Sequence, residues 1–329
     1  MPATDTPLPP QVAERLAARL TERGIRRKPR IYADTYDSMS IDFGDVIRLK
    51  DRYYLITGFA TEGRFGIDEQ LKYWVKKAID IVTGERYIIK CVFYETFEIT
   101  VGSFTVPCFR NPDKESKVLA LVRGHTHFMQ GYGIEDEAGN LLRILDIIWG
   151  KRLDTYIFSL GATHRDYYDN HLPGVLRRFL DSLKAIAFLH SHGLKHGDIR
   201  RDHIFVEHGT GIFKWIDFDY DFYMPERPYA LDLFGLANIL LFIVGRGTFR
   251  HADVRLDPTM GEPVLTSLTD DDLSLLFQDR IVNLIKLFPY IHPELNNILM
   301  HFSYGTNVFY DTVEELYQDL KKFMDSVSF

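Results

Sequence analysis

The chain has 329 residues, of which 46% are hydrophobic and 26% are charged. These values are ordinary for a soluble globular protein, and they exclude a wholly disordered chain, a collagen and a coiled coil. The 39 basic and 46 acidic residues give a net charge of −7, which disfavours a general nucleic-acid binder.

The cysteine content and the hydropathy pattern indicate the cellular compartment in which the chain is expected. The only two cysteines, Cys91 and Cys108, are too few for a disulfide framework or a four-ligand zinc site. A reducing, cytoplasmic compartment is therefore expected. The most apolar stretch, residues 230–245, is shorter than a bilayer span and is interrupted by Asp232 and Asn238, so no membrane span is expected.

The amino-terminal region, residues 1–44, is expected to be a tail followed by a helical arm. Residues 1–10 are polar and rich in proline, without the apolar core of a signal peptide. Apolar residues spaced by four then predict a helix over residues 11–24. The segment from Gln11 to Arg30 holds seven basic and two acidic residues. It is either a solvated arm packed on the rest of the chain or a contact for an anionic partner.

Residues 45–148 are expected to be rich in strands, with one helix. The predicted strands cover residues 46–49, 53–57, 72–80, 87–93 and 141–148, and an extra hairpin is predicted over residues 97–100 and 104–108. The helix is predicted to begin after Asn111, because this residue is a good N-cap and Pro112 suits the first helical position.

Residues 149–329 have mainly helical periodicity. A long helix is predicted to end at Gly193, and two short strands follow it. Further helices are predicted over residues 230–244, 273–287, 293–302 and 312–325. The last of these begins with a capping box formed by Thr312 and Glu315. The expected fold class is therefore α+β.

Two acidic motifs carry the chemistry. One is H-G-D-I-R-R-D-H, residues 196–203, and the other is W-I-D-F-D, residues 215–219. An acid on a loop after a long helix, followed by an acid after a short strand, suits phosphoryl transfer: one carboxylate orients a hydroxyl and the other holds a metal on phosphates. The two motifs resemble the catalytic loop and the D-F-G motif of the protein-kinase-like superfamily.

The resemblance continues through most of the chain, in the family's order. T-E-G-R-F-G at residues 61–66 resembles the glycine loop that covers the phosphates, with its first glycine replaced. Lys90 matches the lysine of the V-A-I-K motif, and Glu115 matches the glutamate that pairs with it. L-D-I-I at residues 145–148 falls at the expected hinge. Asp232 matches the acid that supports the catalytic loop.

The resemblance implies a bilobal fold, with an N-lobe over residues 45–148 and a C-lobe over residues 149–329. It implies ATP and Mg²⁺ as cofactors, with Mn²⁺ as an alternative, and a hydroxyl acceptor on a protein or a small molecule. The implied cofactor-binding residues are Thr61, Gly63, Gly66, Lys90, Glu115, Asp146 and Ile148. The implied catalytic residues are Asp198 and Arg200, and the implied metal ligands are Asp217, His203 and Asp219.

The sequence departs from the family pattern at several points. His203 stands where the family has an asparagine, Gly197 replaces an arginine, and Asp219 replaces the glycine of D-F-G. Only fourteen residues separate Asp217 from Asp232, without an A-P-E motif. Three functions therefore stay open: an active phosphotransferase, a nucleotide-binding pseudokinase that acts as a scaffold or switch, and a protein that uses ATP for another transfer chemistry.

Overall fold

The computed structural model describes residues 7–64, 67–101, 104–257 and 261–327. The chain divides into two compact units, which we call the sheet unit and the helical unit. The sheet unit comprises Met1–Glu95, Arg110–His125 and Met129–Ile148, and the helical unit comprises Thr96–Phe109, Thr126–Phe128 and Trp149–Phe329. The first is rich in strands and the second is mainly helical, so the predicted α+β class is confirmed. The predicted lobe boundaries stay a prediction.

The predicted strands and helices occur in the predicted order, except for the helix over residues 273–287. The strands are β1 Ile31–Tyr32, β2 Val46–Leu49, β3 Arg52–Arg64, β4 Ile67–Asp80, β5 Arg86–Lys90, β6 Thr96–Val101, β7 Phe104–Arg110, β8 Gly131–Glu135, β9 Leu141–Asp146, β10 Gly150–Arg152, β11 Ile204–Glu207, β12 Phe213–Trp215 and β13 Tyr220–Phe222. The helices are α1 Pro10–Glu22, α2 Pro112–Leu121, α3 Leu153–Phe158, α4 His164–Asn170, α5 Leu172–Ser191, α6 Ala230–Gly245, α7 His251–Leu256, α8 Gly261–Ser267, α9 Pro293–Met300 and α10 Val313–Ser326.

The sheet unit is built on a seven-stranded sheet with the order β1-β2-β3-β4-β5-β9-β8. Its pairs are antiparallel except for β1 with β2. The long hairpin of β3 and β4 runs from the pair Tyr54 and Asp80 to the pair Arg64 and Ile67. The pairing of β5 with β9 sets Lys90 directly opposite Arg143. This register brings two cations onto one face of the sheet.

The amino-terminal arm is packed on the sheet unit. Val12 and Leu16 of α1 are buried in an apolar cluster with residues of β2 and β3. Two of the arm's basic residues are paired with the buried carboxylate of Asp45: Arg27 Nη1 lies 2.8 Å from Oδ1 and Arg30 Nη2 lies 2.9 Å from Oδ2. The packed-arm interpretation of the basic segment is therefore supported.

Helix α2 begins as predicted. The Asn111 side chain accepts a hydrogen bond from the backbone N–H of Lys114 at 2.9 Å, and Pro112 opens the helix. This cap satisfies one of the backbone donors that a helix start leaves without an intrahelical partner. Glu115 lies in the first turn, so the cap fixes the position of that carboxylate along the chain.

The helical unit surrounds α6, whose residues are mostly buried on every side. This is the pattern of a core helix in a large domain. Among the described residues, no helix has both the length and the hydropathy needed to cross a bilayer. The capping box at the start of α10 is present, since the Glu315 N–H donates to Thr312 Oγ1 at 3.3 Å and the Glu315 carboxylate accepts from the Thr312 N–H.

The predicted extra hairpin forms, and it joins a strand from much later in the chain. Strands β6 and β7 pair with each other, and β7 also pairs with β13, in a three-stranded sheet of the helical unit. Gly102, expected at the turn, lies outside the described residues. Lys195 fixes β13 from the side: its Nζ donates to the carbonyl of Phe222 at 2.6 Å. The segment after Asp219 is thus held as sheet.

The predicted helix over residues 273–287 is wrong. Only Leu284–Lys286 makes a short 3₁₀ turn, and Leu273 forms a β-bridge with Ile281. Asp272 accepts hydrogen bonds from Thr269 on one of the two segments and from Asn283 on the other. The same spacing of apolar residues can bury these side chains in a helix or in two short antiparallel segments. Here the pairing of the two segments outweighs the local helix propensity. No predicted element covers α7 or α8.

Helix α4 supplies a prediction for the pH dependence of stability. The His164 ring stacks on Phe288 at 3.7 Å, and its nitrogens lie 2.7 Å from Tyr290 Oη and 3.0 Å from the carbonyl of Val244. Burial lowers the pKa of His164 from 6.5 to about 4. The unfolded chain therefore takes up a proton first as the pH falls, so stability decreases between pH 6.5 and 4.

We expect this one group to remove about 3 kcal/mol at most from the free energy of unfolding over that pH range. Urea unfolding at pH 7 and pH 4.5 measures the change. The His164→Gln variant, which keeps polar atoms but does not titrate, should show a smaller pH dependence. An equal pH dependence in both proteins would contradict the assignment.

Candidate active site

Lys90 and Glu115 form a buried ion pair in the sheet unit. Lys90 is the last residue of β5, and its Nζ lies 2.7 Å from Glu115 Oε1. The two side chains are 6% and 0% exposed, respectively. A pair this deeply buried loses much of its hydration, so its geometry and its remaining hydrogen bonds decide whether it is stable.

Arg143 completes this pair and was not predicted from the sequence. It lies opposite Lys90 on β9, and its Nε is 3.0 Å from Glu115 Oε2. Each oxygen of one carboxylate therefore meets a different cation. The formal charges of Lys90, Arg143 and Glu115 sum to +1. Such a cluster suits an anionic ligand such as a phosphate.

The other predicted cofactor-binding residues are spread over the sheet unit. Thr61 lies exposed in β3 opposite Leu71, and Gly63 lies near the end of the same strand. Gly66 lies outside the described residues. Asp146 ends β9, where its N–H donates to the Gln130 carbonyl at 3.0 Å, and Ile148 is the last residue of the unit.

The loop that carries Asp198 is held by a buried carboxylate from α6. Asp232 accepts hydrogen bonds at 2.8 Å from the backbone N–H groups of His196 and Gly197. His190 Nε2 lies 2.9 Å from the same carboxylate. Burial by itself would raise the pKa of Asp232, but these hydrogen bonds and the nearby imidazoles lower it. Asp232 is thus the support of the loop, as the resemblance implies.

Two glycines allow the loop to follow this path. Gly197 has φ +88°, in the left-handed region that favours glycine. Gly235 lies one turn after Asp232, and a Cβ added there would be 2.7 Å from the carbonyl oxygen of Ile199. The loop can therefore approach α6 only because this position has no side chain.

His203 lies between Asp198, which is predicted to be catalytic, and Asp217, which is predicted to be a metal ligand. Its Nδ1 is 2.8 Å from the backbone carbonyl of Asp198 and 3.4 Å from Asp198 Oδ2. Its Nε2 is 3.4 Å from Asp217 Oδ2. Because a carbonyl only accepts, Nδ1 carries the proton in this bond. In the neutral ring, Nε2 then presents its lone pair towards Asp217.

The backbone at Asp217 has an uncommon conformation. Its φ is +69°, which costs a non-glycine residue about 1–2 kcal/mol and is tolerated best by Asn and Asp. Such outliers cluster at functional sites. Two residues on, Asp219 is 2% exposed. Burial, together with the charges of Asp217 and Asp219, raises the pKa of Asp198 against the opposing effects of His203 and Arg200.

Arg200 is bound to a neighbour that the sequence did not single out. Its Nε lies 3.1 Å from Asp202 Oδ1 and its Nη2 lies 2.6 Å from Asp202 Oδ2, a two-pronged contact. Burial opposes ionisation of Asp202, but the charges of His203 and Arg200 prevail and lower its pKa to about 2. Asp202 therefore holds the guanidinium of Arg200, which the resemblance implies to be catalytic.

The metal prediction has only partial geometric support. The described residues contain no group of three His, Cys, Asp or Glu side chains arranged to hold a metal ion. Asp217 and His203 lie side by side and offer one carboxylate oxygen and one imidazole nitrogen. Mg²⁺ is commonly held by one or two carboxylates plus substrate phosphates, so Asp217 fits that ion and His203 fits it less well.

The chain resembles known proteins named as kinases. Sperm motility kinase 2B from Mus musculus is 24% identical over 237 residues, which are 63% of this chain and 47% of that protein. Sperm motility kinase Tcr mutant form, also from Mus musculus, is 25% identical over the same shares. The chain thus spans about half the length of the curated relatives it matches. No protein-family model matches the chain.

Among solved structures, the kinase domain of PknI from Mycobacterium tuberculosis is similar to the chain. It is 12% identical, covers 86% of this chain and 99% of its own, and superposes with a TM-score of 0.49. The names of these relatives agree with the resemblance of the ordered motifs to the protein-kinase-like superfamily.

Proposed function

We propose that the chain is an ATP-dependent phosphotransferase that moves the γ-phosphoryl group to a hydroxyl of a protein or a small molecule. One observation carries the proposal: the carboxylates of Asp198 and Asp217 lie on either side of His203, each 3.4 Å from one ring nitrogen. The strained backbone at Asp217 adds support, because strain of this kind is seldom kept without a function.

In this proposal each charged residue has a separate task. Lys90 binds the α- and β-phosphates, while Glu115 holds its ammonium group in position. Asp198 orients the acceptor hydroxyl and accepts its proton on a carboxylate oxygen, and its raised pKa makes that oxygen a better base. Arg200 faces the transferred group, held by Asp202.

The proposal also includes a divalent cation. Asp217 would hold Mg²⁺, with His203 beside it, and Asp219 is a further candidate ligand. When bound, the cation would neutralise charge on the nucleotide phosphates. Mn²⁺ is the alternative ion. A reducing, cytoplasmic compartment is part of the proposal, and the two buried, unpaired cysteines support it.

A pseudokinase that binds nucleotide as a scaffold or switch is the second candidate. The observation that favours it is the occupation of Arg200 by Asp202, together with a histidine where the family has a metal-binding asparagine. The use of ATP for another transfer chemistry is the third. Calorimetric titration with ATP, with and without Mg²⁺ or Mn²⁺, followed by assays of phosphate release and autophosphorylation, separates them.

The Lys90→Met variant tests the nucleotide site. We expect it to bind ATP at least about tenfold more weakly, because it loses a charge-assisted contact to the phosphates. The fold should persist, since Glu115 keeps its bond to Arg143. Lys77→Met, which changes an exposed lysine on β4, is the matched control. If Lys90→Met bound ATP as tightly as Lys77→Met, the proposal that Lys90 binds the phosphates would be contradicted.

A further inference from the structure

Two arginines face each other in the helical unit. Arg250 and Arg280 are directly opposed residues of an isolated antiparallel β-bridge. The bridge is flanked by hydrogen bonds from Ile281 N–H to the Phe249 carbonyl at 2.9 Å and from His251 N–H to the Asp279 carbonyl at 3.2 Å. Opposed residues of such a pair project to the same face, and like charges there are destabilising. An anion between them would remove this cost.

Arg201 adds a third positive charge to the same place. It is the third residue after Asp198, and its Nη1 donates to Thr248 Oγ1 at 3.3 Å. Thr248 precedes Arg250 by two residues in the chain. Burial and the charges of Arg250 and Arg201 together lower the pKa of Arg280 to about 10. Two like charges, Arg250 across the bridge and Arg201 beside Thr248, thus oppose the positive charge of Arg280.

Arg280 is held in a fixed orientation. Its Nη1 donates to Asn238 Oδ1 at 2.6 Å, and its guanidinium carbon lies 4.1 Å from the centre of the Phe277 ring. Its Nε is buried and has no hydrogen-bond partner in the described part of the chain. A buried donor without a partner costs about 1–3 kcal/mol. The side chain is thus preorganised, with a donor still to be satisfied.

The carboxylates near the three arginines neutralise only part of their positive charge. Asp279 Oδ2 lies 3.6 Å from Arg250 Nε, and both side chains are more than half exposed. Exposed pairs of this kind contribute about 0–1 kcal/mol. Asp253 accepts the backbone N–H of Arg250 at 3.0 Å. The cluster therefore keeps a positive charge beside the loop that carries Asp198.

We propose that Arg201, Arg250 and Arg280 bind a phosphomonoester group carried by the acceptor. A phosphate offers several oxygens to arginine side chains, whose planar, multiply donating groups match it better than lysine does. The assignment of this phosphate to the acceptor rests on the proposed phosphotransferase function. The oxyanion site itself does not, because it needs neither ATP nor turnover.

Titration with inorganic phosphate and with O-phosphoserine, at constant ionic strength and without nucleotide, tests the site. Calorimetry and thermal unfolding should detect binding of both probes to the unaltered protein, and serine should not bind. Arg250→Gln and Arg280→Gln should each weaken the affinity about tenfold. Arg177→Gln, which removes an exposed arginine of α5, should leave it unchanged.

A second readout separates a binding site from a general charge effect. In phosphate-free buffer, Arg250→Gln should keep or raise the melting temperature, because it relieves repulsion at an exposed residue. Phosphate should then stabilise this variant less than the unaltered protein. If the probes bound all variants equally, or bound none, the site would be overturned. Binding of inorganic phosphate but not of O-phosphoserine would overturn the assignment to the acceptor.

The outcomes also separate this inference from the proposed function. If the chain binds phosphate through these arginines but does not bind ATP, the oxyanion site is supported and the phosphotransferase function is contradicted. If the chain turns over ATP but phosphate binding does not depend on these arginines, the phosphotransferase function is supported and the oxyanion site is contradicted.

Discussion

Replacement of Asp198 by asparagine is expected to lower turnover about 10²–10⁴-fold, the usual contribution of a general base. Asparagine keeps the size of the side chain but cannot accept the proton of the acceptor hydroxyl. ATP affinity should stay within a few fold, because the proposed phosphate and metal contacts come from Lys90 and Asp217. ATP hydrolysis and autophosphorylation measure the first effect, and calorimetry measures the second.

Asp181→Asn is the matched control, since it makes the same chemical change at an exposed position of α5. Full turnover in Asp198→Asn would show either that the chemistry lies elsewhere or that the transition state is loose enough to need no base. Loss of ATP affinity in this variant would assign Asp198 to nucleotide binding instead.

The Glu115→Gln variant is expected to lose about 3–5 kcal/mol of unfolding free energy, the range found when one partner of a buried ion pair is removed. Two buried cations, Lys90 and Arg143, would then face each other across β5 and β9 without the carboxylate charge that bridges them. Lys90→Met should cost less, because one carboxylate and one arginine still pair. Urea unfolding of both variants gives the comparison.

The double variant Lys90→Met with Glu115→Gln sharpens this prediction. If the destabilisation comes from uncompensated charge, removing the lysine should restore part of the stability lost in Glu115→Gln. Strictly additive losses would assign the effect to packing rather than to electrostatics.

Local signals in the sequence were good guides to the fold. The helix starts at Asn111 and Thr312 were predicted from their caps, and both side chains make the expected bonds. The pairing of Lys90 with Glu115 followed from the family resemblance. These features depend on short segments or on an ordered motif, so one sequence is enough to find them.

The residues that were missed depend on pairings between distant segments. Arg143 joins the ion pair only because β9 lies beside β5 in a particular register, and a shift of one residue would turn its side chain to the other face. Arg280 meets Arg250 through a bridge that interrupts the predicted helix over residues 273–287. Hydrophobic periodicity carries no information on such pairings.

The three-stranded sheet of β6, β7 and β13 joins segments that are synthesised at different times. Strand β7 ends at residue 110 and β13 begins at residue 220, so about 110 residues are synthesised between them. At roughly 5–20 residues per second, the hairpin waits on the order of ten seconds for its third strand. A two-stranded hairpin alone is only marginally stable. Glu98 is exposed on β6, and its charge disfavours pairing of this edge strand with another chain during this time. A fragment that begins at Trp149 would lack β6 and β7, two of the three strands of this sheet, so we do not expect it to fold without the earlier residues.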